Sequence, residues 1–79
     1  MYHEPMPPER VLARRRAIGQ HIRTARLKAK LTQEQTALRA GIGIDSYNRI
    51  ELGHASPLLD NLIRIADAIG VPLAEFVRD

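Results

Sequence analysis

AGIGIDSYNRIELG, residues 40–53, begins with small residues and continues as a helix-compatible run that stops at another glycine. Only two residues separate Gly41 from the start of that run, so two helices joined here must cross steeply. Within the later of these two helices, predicted over residues 44–52, Tyr47 and Ile50 share the face that is expected to enter a core. The positions that this face leaves outside the core are Ile44, Asp45, Asn48 and Arg49.

The residues before this turn carry clear start and stop signals for another helix. Thr32 is a good N-cap residue, and Gln35 stands three residues later, where it completes a capping box. Gly41 supplies the left-handed conformation that commonly ends a helix. The sequence therefore predicts a helix of about two turns, a short turn and a further helix, which together make a helix-turn-helix.

The N-terminal part of the chain predicts a tail followed by one long helix. Residues 1–8 are polar and rich in proline, which predicts a flexible segment. From about Glu9 to about Ala29, good helix formers carry apolar residues at helical spacing. Gly19 interrupts this helix at a cost of about 1 kcal/mol relative to alanine, which suggests that another helix approaches closely there.

A fourth helix is predicted after the helix-turn-helix. Ser56 predicts its start, with Pro57 at or near the first helical position, and Gly70 predicts its end. Ile63 lies to one side of the apolar stripe of this helix. The stripe itself comprises Leu59, Leu62, Ile65, Ala66 and Ile69.

The C-terminal residues complete the expected fold. Residues 72–77 predict a short fifth helix, with Phe76 closing the core. No strand pattern occurs anywhere in the chain, so the predicted fold class is all-α. The expected architecture is a compact five-helix domain over residues 9–79.

Length and composition exclude several classes of protein. A chain of 79 residues has room for one modest core and not for a large catalytic cleft. The absence of cysteine excludes a disulfide framework and a thiolate site. No apolar stretch approaches the roughly 20 residues needed to span a bilayer, and the N-terminus lacks the apolar region of a signal peptide. The expected localisation is cytoplasmic, with no membrane partner.

Positive charge is concentrated in the first part of the chain. The net charge is +3, but residues 1–31 carry eight basic residues against two acidic ones, a net +6. The remaining residues carry four arginines against seven acidic residues, a net −3. A basic half is expected of a nucleic-acid binder, and on composition alone a solvated, charged helix face explains it equally well.

Two segments of the chain resemble a known family. LTQEQTALRAGIGIDSYNRIELG, followed by LLDNLIRIADAIGVPLAEF, is similar to the phage-repressor and Cro-like helix-turn-helix domain, also called the xenobiotic-response-element family. The resemblance covers residues 18–76 and rests on LTQE, AG, RIE with a glycine two residues later, and AIGV, in the right order and spacing. It implies a lambda-repressor-like domain of bacterial or phage origin, associated with the nucleoid, that binds double-stranded operator DNA, usually as a dimer.

The resemblance also implies which residues contact DNA. Gln33 falls where the family contacts a phosphate, and Ile44 and Asp45 fall on base-reading positions at the start of the third helix. By its chemistry Asn48 can pair with adenine, and Arg49 can address guanine bidentately. The full set of predicted DNA contacts is Thr32, Gln33, Ile44, Asp45, Ser46, Asn48, Arg49 and His54.

The family pattern carries over in one structural pair and departs at three positions. The partly buried arginine of the first helix and the glutamate of the third fall on Arg26 and Glu51, which are expected to pair. Thr36 stands where the family usually has leucine, Gly43 where serine or threonine often caps the third helix, and His54 where a basic residue often meets phosphate. These changes favour a weaker or unusual operator.

Several of these residues also have a purely structural interpretation. The spacing of Tyr47 with Ile50 favours a core role over a base contact. Arg49 could simply support its helix through a neighbouring acid, and Gln33 could be an ordinary polar residue of a first turn. The arginine run at residues 14–16 is as compatible with a solvated face as with phosphate contacts.

No enzyme motif is present, so no catalytic residue is predicted. Glu34 and Glu51 are better explained as helix-surface or ion-pair residues than as acid–base catalysts. The three histidines show no ligand spacing, so no metal, cofactor or small-molecule ligand is expected.

The predicted function is that of a sequence-specific DNA-binding transcriptional regulator, a repressor, that reads an inverted-repeat operator through its third helix. A homodimer is also predicted, with Ile63 as the interface candidate, although a single exposed apolar residue needs no such explanation. The alternative from another class is a protein-interaction module, such as an antitoxin or scaffold. Asp45, which a phosphate would repel, favours that alternative.

Overall fold

Five α-helices follow one another along residues 8–79, the part of the chain that the computed structural model describes. No strand occurs among these residues, which confirms the predicted all-α class. Pro8 begins the first helix, and the rest of the predicted flexible tail, residues 1–7, lies outside the described residues. The helices are α1 Pro8–Lys28, α2 Gln33–Ala40, α3 Ile44–Leu52, α4 Leu59–Ile69 and α5 Ala74–Val77.

Helix α1 crosses α3 at Gly19. A Cβ atom at this position would lie 2.6 Å from the carbonyl oxygen of Ile50 and closer still to that of Glu51. Contacts this short do not occur for real side chains, so only glycine lets the two backbones meet here. The predicted close approach of another helix is therefore confirmed, and it brings the first half of α1 against the end of α3.

Helix α2 is capped at both ends as predicted. The Thr32 hydroxyl accepts a hydrogen bond from the backbone N–H of Gln35 at 3.0 Å, and the Thr32 N–H donates to the Gln35 side chain at 2.9 Å. Gly41 ends the helix in the left-handed conformation, with φ 72°. Thr36, which replaces the family leucine, is fully buried, and its hydroxyl donates to the Thr32 carbonyl oxygen at 2.9 Å. That bond satisfies the buried hydroxyl.

Helix α3 has the predicted bounds and the predicted buried face. It begins directly after Gly43, which is extended and offers no side-chain cap, and it ends at Gly53, whose φ is 75°. Tyr47 and Ile50 are buried, as their spacing predicted. Glu51 is buried beside them, so α3 carries a charged residue on its inner face.

Helix α4 begins later than the sequence predicted. Leu58, not Ser56, occupies the N-cap position, and its carbonyl oxygen accepts from the N–H of Leu62 at 3.2 Å. Ser56 precedes a proline, which disfavours the helical conformation, and Pro57 lies half-buried in the loop before the helix. No side chain caps this helix start, so the sequence carries no local signal for it. The end at Gly70 is as predicted.

Four of the five predicted stripe residues of α4 enter the core. Leu59 was wrongly placed there: it is 61% exposed, because it is the first residue of the helix and no other described element covers it. Phe76 is fully buried from α5, as predicted. None of the helices within residues 8–79 is both long and apolar enough to cross a membrane. The buried apolar core consists of Ile22, Ala37, Ala40, Tyr47, Ile50, Leu62, Ile65, Ala66, Ile69 and Phe76.

Candidate nucleic-acid interface

The outer face of α3 presents four of the predicted contact residues together. Because Tyr47, Ile50 and Glu51 anchor the inner face, the residues on the other side of the helix are left in solvent. The exposed predicted positions are Ile44, Asp45, Ser46 and Arg49, which we call the α3 outer face; Leu52, at the end of the helix, is exposed as well. It offers one apolar group, one carboxylate, one hydroxyl and one guanidinium, a set that can address the edges of several different bases.

Asn48 and Gln33 are joined to each other, which the sequence did not predict. The Asn48 side-chain amide donates to the Gln33 side-chain oxygen at 3.1 Å. Asn48 is half-buried. Each amide nitrogen carries two hydrogens, and the Asn48 side-chain oxygen takes no part in this bond. Asn48 therefore keeps a donor and an acceptor for a partner, and Gln33 fixes the orientation of its amide group.

Gln33 in turn contacts a buried carboxylate. Its side-chain nitrogen donates to Glu51 Oε1 at 3.1 Å. Glu51 also accepts from Arg26 Nε at 2.6 Å and Nη2 at 3.1 Å, and from the Tyr47 hydroxyl. Arg26 and Glu51, the expected pair, are thus both buried and in contact, in a group that we call the Glu51 cluster: Arg26, Gln33, Tyr47 and Glu51.

The Glu51 cluster controls the charges of its own members. Burial acts to raise the pKa of the Glu51 carboxyl, but hydrogen bonds from Arg26, Tyr47 and Gln33 outweigh it, so that this pKa lies below its ordinary value. Burial, and after it the bond to Glu51, raises the pKa of the Tyr47 hydroxyl. The bond to Glu51 raises the pKa of Arg26. At neutral pH the carboxylate is therefore ionised, the guanidinium is charged and the phenol is neutral.

The cluster connects helices α1, α2 and α3. Arg26 belongs to α1, Gln33 is the first residue of α2, and Tyr47 and Glu51 come from α3. Arg26 also donates from Nη1 to the carbonyl oxygen of Leu31 at 2.9 Å, which holds the end of α1 near the beginning of α2. The α3 outer face is consequently fixed relative to both neighbouring helices.

Arg49 and His54 meet at the end of α3. Arg49 Nη2 donates to the carbonyl oxygen of His54 at 3.4 Å, a long bond that leaves most of the exposed guanidinium available. The His54 side chain is exposed in the loop that follows α3. Ser46 and Arg49 together line a cavity of about 290 Å³ that extends to the start of α4. Ser46, Arg49 and His54, all predicted contacts, therefore lie along one side of the helix-turn-helix.

Ile44 and Thr32 have different surroundings. Ile44 lines a cavity of about 310 Å³ between α2 and α3, together with Leu38 and Ile42. Leu38 is 83% exposed on α2 and was not among the predicted contacts. The signal that the sequence offered was the position of this leucine, three residues before Gly41 and next to the turn. The Thr32 hydroxyl accepts from the Gln35 N–H in the cap of α2, and its own hydrogen stays available to a partner.

A further group of polar side chains lies on α1; sequence reasoning weighed Arg16 as a phosphate contact within the run at residues 14–16 but missed the other two members. Arg16, Gln20 and Arg23 are exposed and are spaced four and three residues apart, so they share one helix face. They line a cavity of about 420 Å³ together with Gln33, Glu51 and Leu52. We call this the α1 cleft; the spacing of its three α1 residues was the signal that could have revealed it.

Ile63 is separate from this interface. It lies on α4 and is 41% exposed, and the exposed Leu59 stands four residues before it on the same helix. Residues four apart are neighbours on a helix surface, so the two side chains form an apolar pair.

Comparison with known proteins identifies relatives in sequence. Residues 22–76 match HTH_3, described as helix-turn-helix. Two forms of the cryptic phage CTXphi transcriptional repressor RstR from Vibrio cholerae are 40% and 34% identical to this chain over 58 residues. The matched part makes up 73% of this chain and 52% of the repressor, so the chain spans about half the length of the curated relatives it matches.

A solved structure has a similar fold. The restriction-modification controller protein C.AhdI from Aeromonas hydrophila superposes with a TM-score of 0.79 and is 26% identical in sequence. The similarity covers 81% of this chain and 97% of C.AhdI. The family match over residues 22–76 includes α2 and α3, the two helices that carry most of the predicted contacts.

Proposed function

This chain belongs to the helix-turn-helix family, and from that premise we propose that it is a sequence-specific DNA-binding transcriptional regulator. Its relatives RstR are named as transcriptional repressors and C.AhdI as a controller protein, which supports repression as the mode of regulation. The proposed ligand is an operator in double-stranded DNA. The proposed DNA-binding unit is residues 9–79, and α3 is the helix that enters the major groove.

The observation that carries this proposal is the α3 outer face, held in place by the Glu51 cluster. Four different side chains are exposed together, and the helix behind them is tied to α1 and α2 by buried hydrogen bonds. A side chain that must distinguish base edges has to be held in a defined position, because each bidentate contact depends on direction. Rigid support of an exposed polar helix face serves such recognition.

Each contact residue then has a definite chemical role. Asn48 pairs with adenine through its free amide groups, and Arg49 addresses guanine. Ile44 meets a thymine methyl group, and Asp45 accepts from the amino group of cytosine. Gln33 positions Asn48 and donates its remaining N–H to a phosphate.

A symmetric homodimer would double these contacts. The exposed pair Leu59 and Ile63 on α4 supports a self-association surface, because an apolar pair gains free energy when it is removed from water. Two α3 helices about 34–36 Å apart would read an inverted repeat whose half-site centres lie about one helical turn apart.

The test is selection of genomic DNA fragments by the purified protein, followed by measurement of Kd for the selected duplex over a range of salt concentrations. A phosphate-contacting protein releases counterions, so log K should fall linearly with log salt concentration, at about 0.9 per phosphate contacted. Scrambled duplexes of the same length should bind more weakly by about 10³-fold or more.

Failure to bind any selected duplex in a salt-sensitive way would exclude the proposed function. The protein-interaction module would then be the better interpretation, since Asp45 adds negative charge to a face that should meet phosphates, and His54 stands where the family often has lysine or arginine. Pull-down of a defined partner through the α3 outer face would be the corresponding positive result.

A further inference from the structure

The three arginines at residues 14–16 do not share one surface. Arg14 Nη1 lies 3.3 Å from Asp79 Oδ1, and its Nη2 donates to the Val77 carbonyl oxygen at 3.3 Å, so Arg14 holds the C-terminus. Arg14 and Arg15 both line an apolar groove between α1 and α4, and the buried Nε of Arg15 has no hydrogen-bond partner among the described residues. Arg16 alone of the three lines the α1 cleft. The run therefore does not act as one continuous surface.

The backbone packing fixes Arg16 beside the end of α3. A Cβ atom on Gly53 would lie 2.8 Å from Arg16 Cγ and 2.9 Å from Arg16 Cα, so these two residues are in direct contact. Together with the contact of Gly19 on α3, this sets the rotation of α1. Gln20 and Arg23 follow Arg16 on the same face, and the two arginines are about 10 Å apart along the helix axis. The cleft also reaches Gln33, the first residue of α2.

The positive charge of the α1 cleft is not neutralised from within the protein. Its one carboxylate is Glu51, whose oxygens already accept from Arg26, Tyr47 and Gln33. Across residues 8–79, no carboxylate lies within ion-pair distance of the Arg16 or Arg23 guanidinium groups. Two uncompensated cations and an amide donor on one helix face are suited to an anion with several acceptor oxygens.

We propose that Arg16, Gln20 and Arg23 bind the phosphate backbone of the operator and extend the DNA interface from the helix-turn-helix onto α1. The inference rests on the proposed function, because the anion is supplied by the duplex that α3 reads. The cleft adjoins the Gln33 end of α2, so one strand of that duplex meets Gln33 and the α1 residues in succession. Arg16 and Gln20 lie outside residues 22–76, so the family match does not include them.

The test compares Arg16→Gln, Arg23→Gln and the double variant with a matched control, Lys28→Gln. Glutamine keeps the first carbons of the arginine side chain, including the Cγ of Arg16 that contacts Gly53. Lys28 is also an exposed cation on α1, but it lines a different cavity, beside α5. Each single variant and the control lose one positive charge. Kd is measured for the selected duplex and for a scrambled duplex as a function of salt concentration.

Each arginine variant should weaken binding about 10-fold and reduce the salt slope by about 0.9, and the double variant should weaken it about 100-fold and reduce the slope by about 1.8. The ratio of affinities for selected and scrambled duplexes should stay unchanged, because phosphate contacts carry no base information. The control, Lys28→Gln, should lose only the long-range attraction of one charge to DNA. Its slope of log K against log salt concentration should match that of the wild type. Arginine variants that match the control would overturn the inference, and so would a changed ratio, which would indicate base contact.

Ethylation of individual phosphates gives a second measurement, which locates each contact on the duplex. Phosphates bound by the α1 cleft should interfere with wild-type binding when ethylated, and one of them should lose this effect with Arg23→Gln. An identical interference pattern for the two proteins would count against the α1 contact. A wild-type protein that binds no duplex at all would instead reject the proposed function itself.

Discussion

At the scale of single residues, Glu51 joins the packing of the helices to the proposed DNA-binding surface. Its carboxylate accepts hydrogen bonds from an arginine, a tyrosine and a glutamine that come from three helices. A buried carboxylate with fewer partners would be strongly unfavourable, because burial removes its hydration. Here the partners compensate, and the same side chain holds Gln33 where it can orient Asn48.

Glu51→Ala should lower the free energy of unfolding by about 3–5 kcal/mol, because the Arg26 guanidinium is then left buried without a counter-charge. For a domain of this size that corresponds to a fall in Tm of more than about 10 °C. Thermal denaturation measures it. The control is Glu75→Ala, which breaks the exposed 3.8 Å contact with Arg78 and should change stability by about 1 kcal/mol or less. Equal effects of the two variants would show that the buried pair contributes nothing special.

The stability contributed by Glu51 should depend on pH with a definite sign. Its folded-state pKa lies below the ordinary value, so the contribution is complete above the unfolded pKa, near 4.5, and is lost as pH falls through the folded value. Urea denaturation of wild type and Glu51→Gln between pH 7 and pH 3 measures this. The difference between the two proteins should narrow in acid; a constant difference would contradict the shift.

Asn48→Ala should weaken binding by about 1–3 kcal/mol and relax the base preference at one operator position, because it removes one direct base contact. Arg49→Ala should do the same at a different position. Both are measured by Kd against a panel of single-base operator variants. A uniform loss of affinity over the whole panel would assign the residue to the DNA backbone instead.

At the scale of the helices, contact between α1 and α3 depends on a position without a side chain. The backbones meet closely at Gly19, and the end of α3 lines the α1 cleft together with the α1 residues. A methyl group here would have to separate the two helices. The geometry of the Glu51 cluster, which bridges the same two helices, would change with them.

Gly19→Ala should therefore destabilise the protein by about 1–3 kcal/mol, even though alanine is the better helix former by about 1 kcal/mol. Thermal denaturation provides the value. Gly43→Ser is the control: its φ is −61°, nothing lies within 4 Å of the added Cβ, and serine is a favoured N-cap. Its Tm should be unchanged or slightly higher. A Gly19→Ala protein as stable as wild type would mean that the helices can separate freely.

Sequence reasoning succeeded for helices whose ends carry local signals. Thr32, Gln35 and Gly41 bracket α2, and the structure places caps at those residues. It failed at the start of α4, where the N-cap is a leucine without a capping side chain. It also missed the bond between Gln33 and Asn48, which are 15 residues apart in the chain. Such a contact depends on how two helices cross, and no local pattern encodes that angle.

At the scale of the whole molecule, the proposed homodimer has two candidate surfaces. The stripe of α4 was predicted to bury Leu59, and its exposure places a second apolar side chain next to Ile63. Val11, 44% exposed on the N-terminal half of α1, is the competing surface. The net charge of +3 does not favour association, so the dimer would rely on apolar contact.

Ile63→Asp should dissociate a homodimer built on α4, because a carboxylate would be buried against an apolar partner. Sedimentation of the free protein at micromolar concentration, and of its DNA complex, measures the change. Val11→Asp is the matched control and should leave association unchanged. The reverse result, with Val11→Asp alone dissociating the dimer, would move the interface to α1. A wild-type protein that is monomeric both when free and on DNA would exclude the dimer.

The bond between Gln33 and Asn48 constrains how the specificity of this protein can be changed by engineering. A new residue at position 48 would be presented to DNA without the partner that now fixes its orientation, and the Gln33 side-chain oxygen would lose its donor while the Gln33 nitrogen stays bonded to Glu51. Grafting a foreign α3 sequence would therefore transfer the side chains but not their positions. Libraries that vary positions 33 and 48 together should yield new operators more readily than libraries confined to α3.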